Sequence, residues 1–201
     1  VGYIGLPISI TVEGANILTR TLMVFGQGAL RAHPWAFKEV NAVEKGDLKG
    51  FDEAFWGHMG HIARNSIRTI LLTLTRGHIF WGIGAFENRR HFQKLAWASA
   101  SFAILADLSM GLLGGKLKVK EKITGRFADI LSWMFMASAV LRRYEAEGRR
   151  KEDRIFVDYA MKTALSEIQK GFDGLYANLD VPVIGLLFQI GRASCRERVS
   201  S

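Results

Sequence analysis

The sequence GANILTRTLMVFGQGALR, residues 14–31, carries the spacing that recurs along the whole chain. Its apolar residues return at steps of three and four, which places them on one face of an α-helix. The residues on this face are Ile17, Leu18, Leu22, Phe25 and Ala29. The stretch therefore predicts an amphipathic helix over residues 14–31.

The same period predicts further helices over residues 34–44, 52–76, 88–113, 120–147 and 152–179. Pro34 suits the first turn of the first of these helices, and residues 45–47 predict a linker. The helix over 52–76 carries a set of apolar residues: Phe55, Met59, Ile62, Ile67, Ile70, Leu71 and Leu74. No stretch alternates as a strand would, so the predicted fold is all-α, an antiparallel helical bundle with short connections.

Glu13 stands just before the first helix, between an apolar run and Gly14. Apolar neighbours raise the pKa of a carboxyl group because they disfavour its charged form, and such a base works near neutral pH. Gly14 lets a ligand approach the backbone. The pair suits proton abstraction beside a carbonyl held by backbone amides. A structural alternative remains, in which Glu13 only stabilises the N-terminus of the helix through its dipole.

The stretch ITVEGANILTR, residues 10–20, resembles the acyl-CoA dehydrogenase family, and in particular its enlarged bacterial branch that acts on fatty acyl-CoA. Other stretches extend the resemblance from residue 2 to about residue 187. They are FGQGA (25–29), LGGKLK (113–118), DILS (129–132), ASAVL (137–141) and RYEAEGR (143–149).

The resemblance implies an FAD-dependent enzyme that dehydrogenates a fatty acyl-CoA to a trans-2-enoyl-CoA in β-oxidation. Glu13 would be the catalytic base, and the Glu13 and Gly14 backbone would bind the substrate. Ala15, Asn16 and Thr19 would lie at the cofactor. Electrons would leave through an electron-transfer flavoprotein, and the full-length enzyme would be a homo-oligomer.

Three positions depart from the common family form. Ala15 and Ile17 stand where many relatives have threonine and glutamine in contact with the flavin. Asn16 or Thr19 would have to replace those contacts. Val12 stands where relatives have an aromatic residue, which would reshape the acyl pocket.

The resemblance also divides the chain. Residues 1–46 are expected to end the catalytic helical domain, and residues 47–189 to form an additional helical region. Residues 190–201, IGRASCRERVSS, resemble a translated sequencing adapter and are expected to be non-biological. The chain is expected to be a C-terminal fragment that does not turn over substrate alone. The one cysteine, Cys195, excludes an internal disulfide.

Composition fits a globular chain, with 49% hydrophobic and 23% charged residues. Residues 95–115 are long and apolar enough to span a bilayer. However, Asp107 near their middle would cost about 2.5–3.5 kcal/mol there, which favours a buried bundle helix. The apolar loop 77–86 is the best candidate for peripheral membrane contact. The expected location is the bacterial cytoplasm, peripheral to the inner membrane.

Two site classes are not expected. The formal charge of +8 is scattered, so no nucleic-acid surface is predicted. His58 and His61 lie three apart on a helix, but no third ligand follows at a useful spacing, so no metal site is predicted. The alternative to an enzyme is a helical module that docks to a membrane surface or a partner protein, with Glu13 purely structural.

Overall fold

A computed structural model describes Thr19 and residues 28–81 and 86–179 of the chain. All regular structure in these ranges is helical, which confirms the predicted all-α fold. The α-helices described are α1 (Gly28–Ala32), α2 (Ala36–Lys45), α3 (Leu48–Leu74), α4 (Arg89–Leu113), α5 (Glu121–Ala146) and α6 (Arg154–Asn178). Short 3-10 helices lie at Phe86–Asn88, Gly114–Val119 and Lys151–Asp153.

The core lies between α4, α5 and α6. A short connection turns α6 back along α5, and these two helices form the most extensive helix pair of the described structure. Many of their facing side chains are buried, and buried and partly buried side chains of α4 pack on them. This apolar contact is the main source of the bundle's stability, because burial of apolar surface drives folding. The most deeply buried of these side chains are Phe127, Ile130, Leu141, Met161, Ile168, Phe172 and Leu175.

Two glycines of α6 let it approach α5 closely. A Cβ atom on Gly171 would lie 2.5 Å from Cγ1 of Ile130, which is fully buried. A Cβ atom on Gly174 would lie 2.5 Å from Nε of Arg126, the flexible end of a side chain that is half exposed.

We therefore expect opposite effects from two alanine substitutions. Gly171→Ala should lower the free energy of unfolding by about 1–3 kcal/mol, because Ile130 cannot move away without disturbing the core. Gly174→Ala should raise it by roughly 0.5–1 kcal/mol, since Arg126 can swing aside and alanine favours the helix. Urea denaturation of both variants measures the difference. Equal effects would contradict this account of the contact between α5 and α6.

The beginning of α3 differs from the prediction, which placed it at Asp52. The helix begins at Leu48 because Asp47 caps it, with its Oδ1 accepting the Gly50 N–H at 3.0 Å. The predicted linker is a tight turn in which Gly46 ends α2 with a φ of 67°. Such a left-handed conformation favours glycine.

The orientation of α3 is unusual for a helix in a bundle. Amphipathic helices commonly turn their apolar face to the core. Here the face toward the rest of the described structure carries mainly small and polar residues, with one large apolar residue, Leu72, near its end; the others are Ala54, His58, His61, Asn65 and Thr69. Most of the predicted apolar residues of α3 are exposed instead: Phe55, Met59, Ile67, Ile70, Leu71 and Leu74.

The stretch from Arg89 to Leu117 has the length and composition of a membrane-spanning helix. Half of its most apolar part is buried inside the protein. Its helix, α4, packs against α3 on one side and α5 on the other. Asp107, the charged group near its middle, lies within 3.2 Å of His33. These contacts favour the interpretation of α4 as a helix of the bundle.

Candidate functional site

The predicted catalytic and substrate-binding residues Glu13 and Gly14 lie outside the described residues, as do Ala15 and Asn16. Thr19 is described and is partly buried. The described structure instead reveals a cluster of histidines and carboxylates where the turn before α2 meets α3 and α4. We call it the histidine cluster; it consists of His33, Glu39, His58, His61 and Asp107.

His33 is held by the start of α2. Its Nδ1 accepts the backbone N–H of Ala36 at 2.9 Å and that of Trp35 at 3.2 Å. The first N–H groups of a helix have no partner within the helix, so the imidazole satisfies two of the otherwise unpaired donors at this end. These bonds fix the position of the ring. They also direct its other nitrogen, Nε2, toward α4.

Asp107 of α4 lies next to this Nε2 atom. Oδ1 of Asp107 lies 3.2 Å from Nε2 of His33, and the two side chains are only 5% and 6% exposed. The contact is close enough for an ion pair, but it is not aligned as a hydrogen bond. As a result, Nε2 of His33 and Oδ2 of Asp107 are buried without a hydrogen-bond partner.

His58 and His61 of α3 complete the cluster. Nδ1 of His58 lies 2.8 Å from Oε1 of Glu39, and the rings of His58 and His33 are 4.5 Å apart. The His61 ring lies 5.3 Å from that of His33, nearly perpendicular to it, and Asn65 lies 2.8 Å from its Nε2. Two carboxylates and three imidazoles thus share one partly buried site.

Ligand atoms of His33, His58 and Asp107 lie within 4.8 Å of one another, close enough for a metal ion. His58 suits this role, because a carboxylate on Nδ1 leaves Nε2 as the ligand atom. His33 does not. Its Nδ1 accepts two N–H groups, so the neutral ring carries its proton on Nε2, which is then a donor and not a ligand. The arrangement therefore does not favour coordination of a metal ion by His33.

Sequence reasoning found His58 and His61 but not their partners. It expected no metal site because no third ligand follows them at a useful spacing. The third and fourth groups, His33 and Asp107, come from distant parts of the chain: His33 lies before α2, which packs on α3, and Asp107 lies on α4. The one available signal was Asp107 itself, a charged residue in an apolar stretch.

Comparison with known proteins identifies the chain's relatives. Residues 30–199 match the family described as "Acyl-CoA dehydrogenase, C-terminal, bacterial type". The chain belongs to this family. No solved structure matches the chain significantly. The match confirms the resemblance found in the sequence. The histidine cluster lies within the matched residues of this acyl-CoA dehydrogenase C-terminal region, whereas Glu13 precedes them. The division at residue 46 and the assignment of residues 190–201 stay predictions.

We expect one member of the histidine cluster, His61, to make the stability of this acyl-CoA dehydrogenase region depend on pH. Burial lowers the pKa of His61 from its ordinary value of 6.5; Asp107 opposes this effect, while His33, Arg64 and His58 add to it. The unfolded chain therefore binds this proton more readily than the folded one. The stability that follows is complete above about pH 6.5 and is lost as the pH falls below that value.

We expect the free energy of unfolding to fall from about pH 7.5 to about pH 5.5, and to fall less in the His61→Gln variant. His91, whose pKa is also lowered chiefly by burial, contributes with the same sign. The double variant with His91→Gln should therefore have the flattest profile. Urea denaturation across this pH range measures it. A His61→Gln profile as steep as that of the unmodified chain would exclude the proposed role of His61.

Proposed function

We propose that this chain is the C-terminal part of an FAD-dependent acyl-CoA dehydrogenase that converts a fatty acyl-CoA to a trans-2-enoyl-CoA in β-oxidation. The observation that carries the proposal is the family match over residues 30–199. The Glu13-Gly14 pair, upstream of the matched residues, resembles the catalytic motif of the same family and supports the reaction type.

In this proposal Glu13 removes a proton from the carbon next to the thioester carbonyl. Loss of that proton builds negative charge on the carbonyl oxygen, and the Glu13 backbone N–H would stabilise it. Gly14 leaves room for the thioester to approach the backbone. Binding, orientation and proton removal are thus the tasks assigned to this segment.

The residues at the proposed cofactor site offer a limited set of polar groups. Asn16 and Thr19 provide side-chain donors and acceptors, while Ala15 can contribute only its backbone. Thr19 is partly buried, which is compatible with a contact to a bound group. When bound, FAD supplies the acceptor for the hydride that leaves the β-carbon. An electron-transfer flavoprotein would then receive the electrons.

The test is product formation by the flavin-loaded enzyme that contains this region. Saturated acyl-CoAs of several chain lengths are incubated with enzyme and electron-transfer flavoprotein, and the products are analysed by mass spectrometry. We expect a product two hydrogens lighter, with a double bond between the α- and β-carbons. Absence of this product at every chain length would favour the alternative, a helical docking module without catalytic function. The proposal also includes a homo-oligomer in the bacterial cytoplasm, and light scattering on the same preparation tests the oligomeric state.

A further inference from the structure

Large apolar side chains lie along the exposed face of α3, and we call five of them the outer stripe: Trp56, Ile67, Ile70, Leu71 and Leu74. At 3.6 residues per turn, all of these side chains except Leu71 project within a sector of roughly 60°, and Leu71 lies beside that sector. These side chains are between 45% and 75% exposed. A monomer rarely exposes so much contiguous apolar surface without a binding function.

Two further exposed apolar residues follow the end of α3. Ile79 is half exposed, and Trp81 is the most exposed large apolar residue of the described chain, at 83%. Arg89, at the start of α4, places its guanidinium 4.6 Å from the centre of the Trp81 ring. An exposed tryptophan paired with a cation therefore follows the C-terminal end of α3. A second exposed tryptophan, Trp56, lies in the N-terminal half of the helix.

Most of the charges around the outer stripe are positive, although Asp52 and Glu53 lie one turn before Trp56 and Glu87 precedes α4. Residues 54–86 contain no aspartate or glutamate, although they include three arginines. Two of these, Arg64 and Arg68, are exposed on α3 and border the stripe on one side. Arg89 and Arg90 follow at the start of α4. The surface thus combines apolar and cationic groups without a carboxylate in the segment that forms it.

We propose that the outer stripe binds the surface of a bilayer containing anionic phospholipids, with α3 lying parallel to the membrane plane. A helix with an apolar face and bordering arginines matches the chemistry of this interface. Tryptophan side chains concentrate at the same depth, and lipid phosphates attract the arginines. In this arrangement α4 stays within the bundle and does not cross the membrane.

A second exposed apolar group, on α6, provides the control. Ile155, Phe156 and Tyr159 are about as exposed as the outer stripe. Their surroundings differ, because acidic residues lie among the basic ones; Arg154, for example, pairs with Asp158 at 3.1 Å. This mixed charge does not favour binding to an anionic membrane. Substitutions in the α6 group therefore distinguish nonspecific apolar adsorption from specific binding by the outer stripe.

The experiment is sedimentation of the full chain with vesicles. One set contains equimolar phosphatidylglycerol and phosphatidylcholine, and the other phosphatidylcholine alone. We expect binding to the anionic set, reduced at least about tenfold when Ile67, Ile70 and Leu74 are replaced by serine, because binding scales with buried apolar area. Replacing Arg64 and Arg68 with glutamine should weaken it by roughly thirtyfold on anionic vesicles. Serine at Ile155, Phe156 and Tyr159 should leave binding unchanged.

Circular dichroism of each variant checks that the helices are intact, as expected for substitutions of exposed residues. Three results would overturn the proposal: no binding of the unmodified chain, equal loss of binding in the α3 and α6 variants, or full binding by the α3 variant. If the α3 variant instead changed a dimer to a monomer without altering vesicle binding, the outer stripe would be an interface between two copies. That result would also exclude binding of the outer stripe to the membrane.

Discussion

Replacing Glu13 with glutamine should leave flavin binding intact and lower turnover by about 10²–10⁴-fold, the usual contribution of a general base. Glutamine has the same shape but cannot accept the α-proton, so the acyl-CoA should still bind. The measurement is the rate of enoyl-CoA formation by the flavin-loaded enzyme, with the flavin content determined from its absorbance. Loss of flavin along with activity would mean that Glu13 holds the structure and is not the base.

The matched control is Glu167→Gln on α6. Its carboxylate pairs with Lys170 on the same helix at an exposed position. An exposed pair of this kind contributes at most about 1 kcal/mol to stability, and the residue has no proposed part in the reaction. We expect unchanged turnover. A comparable loss in this variant would show that the assay responds to charge or stability and not to the base.

Replacing Phe127 with alanine should lower the free energy of unfolding by about 3–5 kcal/mol. The ring is fully buried on α5 and meets Phe102 edge to face at 5.5 Å. Its removal would leave a cavity in the core between α4, α5 and α6. Because typical domains have only about 5–15 kcal/mol of stability, this is the largest single effect expected on folding.

Phe135→Ala on the same helix is the control for helix propensity and residue type. Its side chain is 73% exposed, so we expect a change within about 0.5 kcal/mol. Denaturant unfolding of both variants gives the comparison. Similar losses for Phe127 and Phe135 would contradict the assignment of the core to the contact of α4, α5 and α6.

Most of the fold could be predicted because local signals mark the helix ends. The predicted helices over 88–113, 120–147 and 152–179 agree with α4, α5 and α6 to within two residues. Gly114 and Gly148, which follow α4 and α5, both adopt a positive φ that favours glycine. The start of α3 was predicted late because Gly50 weakens the helical pattern of its first turn, although the side chain of Asp47 caps it.

The contacts between helices could be predicted less well from the sequence. The period of α3 predicts an apolar stripe but not its direction, and the structure turns the stripe outward while His58 and His61 face inward. The contact between His33 and Asp107 joins residues far apart in sequence. It depends on how the helices pack together, which no local pattern encodes. The proposed catalytic role of Glu13, in contrast, rests on a motif alone and stays a prediction.

The most direct test of the central claim, that Glu13 removes the α-proton, uses an acyl-CoA analogue with sulfur at the β-position. This analogue has no β-hydrogen to transfer, so proton removal can be observed without oxidation. The flavin-loaded enzyme is incubated with it in D₂O, and deuterium incorporation at the α-carbon is followed by mass spectrometry. The account predicts rapid exchange with unmodified enzyme and none above the enzyme-free background with the Glu13→Gln variant. Exchange by that variant at the unmodified rate would contradict it.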